Sequence, residues 1–289
     1  GSVDWSIRNF HGYSTHRGTT YNAFLVVDEK TVLFDTVKAE FKDDLLGKIG
    51  RIIDPGKIDY IVVDHVELDH SGSLPQIVEA VRPERIFCSP RGEKALLQHF
   101  GSSALEYEAV KTGDSRSIGN RTIQFIESRM LHWPDSMCSY IGEDRLLISN
   151  DIFGQHWASS ERFDDEVDLS ELMHHTAKYY ANIVMPYSPI VAKFLKQVQE
   201  MNLEIDMIAT DHGLLWRSHI RDVLDAYDRW SRQETKEKAL VIFDSMWHST
   251  ERMAMSVTDG LIMEGISVKV LDLKVNARDD VMTEALDAK

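Results

Sequence analysis

The sequence predicts an α/β layered fold. Short β-rich runs interleave with helical patterns in no fixed repeat, which is the arrangement of a sheet covered by helices. Several apolar runs end abruptly in an acid or a histidine, as strands do when they reach a functional edge. The pattern then restarts after a polar stretch as a β-α-β unit.

Element by element, "YNAFLVVD" and "TVLFDTV" flank "EK", and predict a hairpin closing around Asp28 to Lys30. Helical spacing at Phe41, Leu45, Leu46 and Ile49 predicts a helix that stops at Pro55-Gly56. "IDYIVVD" is a short buried strand, and "SLPQIVEAVRPE" a helix with Ser73 as its N-cap. "RIFCS" reads as strand, "RGEKALLQHF" as helix, and "RTIQFIES" and "RLLISN" as strands. Helices are expected between Glu161 and Gln199, a strand in "IDMIATDHG" and a helix in "RSHIRDVLDAYDRWS".

Ser231 to Lys238 is charged and has no apolar face, so a boundary is expected there, giving segments 1–236 and 237–289. Beyond it come strand "ALVIFD", loop "SMWHST", helix "ERMAMSVTDGLIMEG" and strand "ISVKVLDL". One such unit cannot bury its own sheet. It either leans on the first segment or opens a domain cut short, and the second is the expectation.

Composition narrows the function. Hydrophobic residues make up 43% of the 289 and charged residues 27%, an ordinary globular mix. A net charge of −15 without a basic block disfavours nucleic acid as a partner. No apolar run reaches the ~18 residues of a membrane span and no signal-peptide pattern opens the chain, so a soluble cytoplasmic protein is expected. Two cysteines against 12 histidines point to nitrogen and oxygen donors, if a metal is bound.

The donors gather in "YIVVDHVELDHSGSLP". Read as extended chain, His65, Glu67 and Asp69 at i, i+2 and i+4 share one side. Two carboxylates packed on an imidazole without a cation would cost several kcal/mol, and a metal ion removes that cost. His132 in "MLHWPD", Asp151 in "LLISNDIFG" and His212 in "MIATDHG" each follow a strand-like run, so they can arrive at the same edge.

This series resembles the ligands of the metallo-β-lactamase superfamily, and more narrowly its flavodiiron branch of the rubredoxin:oxygen oxidoreductase type. "GTTYNA", "LFDTVKAE", "ISNDIFGQ" and "YYANIV" extend the resemblance over the whole chain. It implies an αββα sandwich followed by the start of a flavodoxin-like parallel α/β domain. It also implies two iron ions: one on His65, Glu67 and His132, one on Asp69 and His212, with Asp151 bridging. His70 matches the motif too, as ligand or as hydrogen-bonding neighbour. Asp35, ending "VLFD", either organises the loops or is a plain turn acid. Glu67 stands where hydrolytic relatives carry histidine, and a site of three imidazoles and three carboxylates suits iron better than a zinc pocket. The competing enzyme reading is a binuclear zinc hydrolase; a non-enzymatic scaffold is the other.

The resemblance further implies FMN, its phosphate held by Ser245, Met246, Trp247, His248, Ser249 and Thr250 at a helix N-terminus. Electrons would pass from rubredoxin through FMN to iron, reducing O2 to water or NO to N2O, in a head-to-tail homodimer. Ligands of this kind serve either oxidant. With only two flavodoxin-like strands, the chain by itself is expected to bind metal but neither to retain FMN nor to turn over. Trp133, Trp157 and Trp216 either wall the iron pocket or pack in the core.

Overall fold

A computed structural model of the chain describes residues 1–101 and 106–289. Its centre is a pair of five-stranded sheets. The first runs in the order β1 (Phe24–Val26), β2 (Val32–Phe34), β3 (Tyr60–Val63), β4 (Arg85–Cys88) and β5 (Tyr107–Ala109). Only the β1–β2 hairpin is antiparallel; the other pairs are parallel. The second sheet runs β6 (Ser115–Ser117), β7 (Thr122–Glu127), β8 (Met137–Ile141), β9 (Leu146–Ile148) and β10 (Met207–Ala209). It is antiparallel up to a final parallel β9–β10 pair.

The layering follows from side-chain alternation. Val32, Phe34, Tyr60, Val62 and Phe87 of one sheet cluster with Ile123, Phe125, Met137, Ile141 and Ile148 of the other. Because successive residues of a strand point to opposite faces, Leu33, Ile61, Val63 and Ile86 pack the other way. They meet helices α1 (Lys42–Ile49), α2 (Leu74–Val81) and α3 (Pro90–Phe100). On the second sheet Cys138, Tyr140, Leu147 and Ile208 likewise cluster with α4 (Leu169–Tyr179), α5 (Ser188–Glu200) and α6 (Ile220–Ser231). Strands buried on both faces favour apolar residues throughout, as in β2 and β3, and β8, also fully buried, carries one polar exception in Ser139. The result is the expected αββα sandwich.

Three local expectations need correction. Ser73 occupies the N-cap position of α2, but its hydroxyl makes no capping bond and instead accepts the Val37 N–H at 3.2 Å. β8 and the short β5 and β6 are strands that the sequence pattern does not predict. The ligand motif does not stay extended: Leu68–Ser71 winds into one helical turn, so the alternation argument holds for His65 and Glu67 and fails for Asp69.

After α6 the chain forms β11 (Lys238–Phe243), α7 (Ser249–Met263) and β12 (Ser267–Asp272), with the two strands parallel and in register, then α8 (Arg278–Ala285). This is the predicted β-α-β unit, and it leans on the sandwich through α8. Asp279 accepts hydrogen bonds from the Ser14 N–H at 2.9 Å and from the Ser14 hydroxyl, and pairs with Lys178 Nζ at 2.9 Å. Asp280 takes the same ammonium at 2.7 Å.

Burial opposes ionisation of Asp279, but Ser14 and Lys178 outweigh it and lower its pKa to about 2. A carboxyl depressed in the folded state contributes stability above the usual carboxylate range and loses it as pH falls toward that value. Asp279→Asn is therefore expected to cost about 2 kcal/mol at pH 7. Urea unfolding at pH 7 and pH 3 should show the gap to the parent protein narrowing in acid. A gap that is constant with pH would contradict the assignment.

Candidate metal centre

β3, β7, β9 and β10 all deliver their C-terminal ends to one edge of the sandwich, and every sequence-predicted ligand follows one of them. His65 lies two residues past β3, and Glu67, Asp69 and His70 follow in the loop and its helical turn. His132 sits in the loop after β7, Asp151 three residues past β9, and His212 three past β10. The sheets are stitched together at this edge: the Met137 N–H donates to the Asp64 carbonyl at 2.9 Å, and the Ser139 hydroxyl donates to Asp64 Oδ1 at 2.9 Å. Asp35 accepts the Asp64 N–H at 2.9 Å and the His65 N–H at 3.3 Å. It therefore organises the loop, as the resemblance implied, and is more than a turn acid.

The six predicted residues and His70 converge on two adjoining positions. In the first, donor atoms of His65, Glu67, His132 and Asp151 all lie within 4.8 Å of one another; in the second, those of His70, Asp151 and His212 do, and so do those of His11, Asp69 and His212. Asp151 faces both. Its Oδ2 is 2.8 Å from His132 Nε2 and 3.6 Å from His65 Nε2, while its Oδ1 is 3.2 Å from His70 Nε2 and 3.4 Å from His212 Nε2. Asp69 Oδ2 lies 3.1 Å from both His70 Nε2 and His212 Nε2. His70 thus reaches into the second position with the same nitrogen as the others.

The donor set fits cations. Asp69 Oδ1 and Oδ2 and Asp151 Oδ1 are buried without a hydrogen-bond partner among the described residues, an arrangement that costs several kcal/mol unless positive charge sits between them. Two imidazoles have their tautomer fixed from behind, which leaves Nε2 free as a donor atom. His212 Nδ1 is 2.6 Å from the Thr20 carbonyl, and His65 Nδ1 is 3.1 Å from Asp135 Oδ2. Burial opposes the charge on Asp69 and Asp151, yet the surrounding histidines hold both carboxyls well below the usual range. No thiol contributes: Cys88 and Cys138 are buried elsewhere. All-nitrogen-and-oxygen donation with three carboxylates suits iron.

Glu67 is the most open of the six, 22% exposed at its side chain against 0–3% for His65, Asp69, Asp151 and His212, so it marks the mouth. His11 stands beside it, Nε2 3.5 Å from Glu67 and 3.7 Å from Asp69. His11 has no signature in the sequence, since it follows the two-residue strand Asn9–Phe10 far from the motif. His156, with Nε2 3.2 Å from His11 Nδ1, and Asp135 were missed as well. Asp135 was within reach, since it belongs to the "MLHWPD" stretch singled out for His132.

Of the three tryptophans, only Trp133 sits at the site, edge-on to His65 with ring centroids 5.5 Å apart. Trp157 packs against His175 and under Arg17. Trp216 is fully buried in the cluster between the second sheet and its helices. Aromatic type alone does not distinguish core from pocket wall, and these two are core.

Ser245 to His248 join β11 to α7, and Ser249 and Thr250 open the helix. Trp247 and Met246 are 81% and 75% exposed, and His248 takes a left-handed conformation at φ 64° as the N-cap of α7. Ser245 is buried, its hydroxyl without a partner among the described residues. That orphaned hydroxyl, in the loop that leads into the 15-residue helix α7, suits an anion such as a phosphate.

Comparison with known proteins agrees with this geometry. A family model described as "ODP family beta lactamase" matches residues 19–213. The chain is 49% identical to a nitric oxide reductase of Moorella thermoacetica, covering all of this chain and 73% of the relative. It is 45% identical to a rubredoxin-oxygen oxidoreductase of Megalodesulfovibrio gigas, covering all of this chain and 72% of that one. Among solved structures, the rubredoxin oxygen:oxidoreductase from Desulfovibrio gigas superposes with a TM-score of 0.97 at 45% identity, over 100% of this chain and 73% of that chain. The flavodiiron protein from Giardia intestinalis gives 0.92 at 34% identity, over 99% and 70%.

Proposed function

The chain belongs to the ODP family of β-lactamase-fold proteins, in its flavodiiron branch, and from that premise we propose that it is an oxidoreductase reducing O2 to water, NO to N2O, or both. His65, Glu67 and His132 would hold one iron ion and Asp69, His70 and His212 a second, with Asp151 reaching toward both, and the pair would supply the redox chemistry. The observation that carries this reading is the division of Asp151: one oxygen turned to each triplet of donors.

The protein's own groups do the rest. Asp151 fixes the separation of the two positions. Thr20 and Asp135 hold His212 and His65 with Nε2 inward. Glu67 and His132 border the opening through which a diatomic gas enters, and His11 Nε2, buried without a partner among the described residues, is placed to hold a proton at that opening. The residues Ser245 to Thr250 would hold the phosphate of FMN, which would supply electron transfer from rubredoxin or a similar small donor. A head-to-tail homodimer, bringing the FMN of one chain to the iron of the next, and a cytoplasmic location complete the proposal. Among the described residues no helix is long and apolar enough to cross a membrane.

The test is an anaerobic assay of the full-length, iron-loaded protein with reduced rubredoxin. Iron-dependent consumption of O2 or NO is expected, and His132→Ala should hold fewer than two irons per chain. Two tightly held zinc ions, with ester or thioester hydrolysis and no gas consumption, would overturn the reading.

A further inference from the structure

We propose that Asp135 is the positioning residue of the first iron position, fixing the His65 ring and the backbone of the ligand loop with a single oxygen; this rests on the di-iron reading above. Asp135 Oδ2 lies 3.1 Å from His65 Nδ1 and accepts the Val66 N–H at 2.7 Å. Its side chain is 3% exposed, so no water competes for those bonds. The first bond puts the proton on Nδ1 and leaves the Nε2 lone pair facing Glu67 and Asp151. The second prevents the segment between His65 and Glu67 from rotating away.

Asp135 is itself anchored. Its carbonyl accepts the Ser89 hydroxyl at 2.6 Å, and Ser89 Oγ accepts the Gly92 N–H at 3.0 Å in the first turn of α3. Asp135 comes from the loop of the second sheet that carries His132, whereas His65 and Glu67 come from the first sheet. The residue therefore sets the distance between two halves of one metal position. The second position has no such dependence, because His212 is held by the Thr20 carbonyl. An asymmetry follows: disturbing Asp135 should loosen one iron and spare the other.

Because both bonds use the same oxygen, Asp135→Asn can keep both through its amide oxygen while losing the charge, and Asp135→Ala loses both. Iron content, release to a chelator and the Mössbauer spectrum of the full-length protein distinguish the cases. The parent should hold two irons per chain. Asp135→Ala should fall toward one, with release of the affected iron about 100-fold faster, and Asp135→Asn should keep two with release about tenfold faster. The Mössbauer spectrum of Asp135→Ala should lose one of its two iron signals. Circular dichroism of the metal-free forms checks folding, and should the Ala variant not fold, Asp135→Asn still decides through its release rate. Two irons released at the parent rate in both variants would overturn the proposal, as would equal loss of both irons. A parent protein without two irons would instead overturn the functional reading.

Discussion

Asp151→Ala is expected to lower the iron content of the protein from two per chain to below one, and gas reduction by at least about 100-fold. The reason is geometric. One carboxylate serves both halves of the centre, with Oδ2 2.8 Å from His132 Nε2 and Oδ1 3.2 Å from His70 Nε2. Each half then loses an anionic ligand, and four inward-facing imidazoles are left with only Glu67 and Asp69 to balance two dications. Losing a ligand and a bridge together costs more than losing either alone, because the donors act as a unit. His132→Ala removes a ligand from the first position only and should leave about one iron. Elemental analysis on protein purified without added metal checks both, and Asp151→Ala retaining two irons would refute the bridging role.

The second large effect is on stability. Trp216→Ala should destabilise the fold by about 3–5 kcal/mol, the range for truncating a fully buried large aromatic. Trp216 is 0% exposed and its indole N–H donates to the Phe153 carbonyl at 2.9 Å, so truncation leaves both a cavity and an unpaired carbonyl. Its backbone pairs in both directions with Ile208 of β10, which ties the core to the strand that delivers His212. Trp216→Phe fills most of the space and loses only the donor, so it should cost about 1–2 kcal/mol. Urea unfolding of the metal-free proteins should show lower midpoints at an unchanged slope. Iron content in Trp216→Phe should stay at two. A Trp216→Ala midpoint equal to that of the parent would place this ring outside the core after all.

The contrast among the tryptophans shows which features could be read from sequence. His65, His132, Asp151 and His212 were legible because each interrupts a run of β-branched and aliphatic residues, and a buried strand that ends in a metal donor carries its chemistry in one dimension. The α/β layering was legible because β-rich runs interleave with helical patterns, whereas the αββα sandwich was legible only through the family resemblance. β8 was not, because "MCSYI" mixes small polar and large residues at positions that are all buried, and its Ser139 is accounted for only by Asp64. His11 was invisible because it follows a two-residue strand and reaches the site purely by folding. Asp69 reached the predicted site by an unpredicted route: the helical turn at Leu68–Ser71 presents Asp69 and His70 together, whereas an extended chain would have turned them to opposite sides. Ser73 fits the N-cap statistics, yet its oxygen is committed to Val37, a long-range demand that local rules do not contain.

The proposed function turns on whether this edge of the sandwich holds two irons with Asp151 between them. X-ray absorption at the iron edge, on protein with its metal quantified, tests it most directly. The spectrum should show two irons per chain, a metal–metal vector of about 3.5–4 Å and a ligand sphere of nitrogen and oxygen only. A single isolated iron, a sulfur ligand, or zinc in place of iron would contradict it.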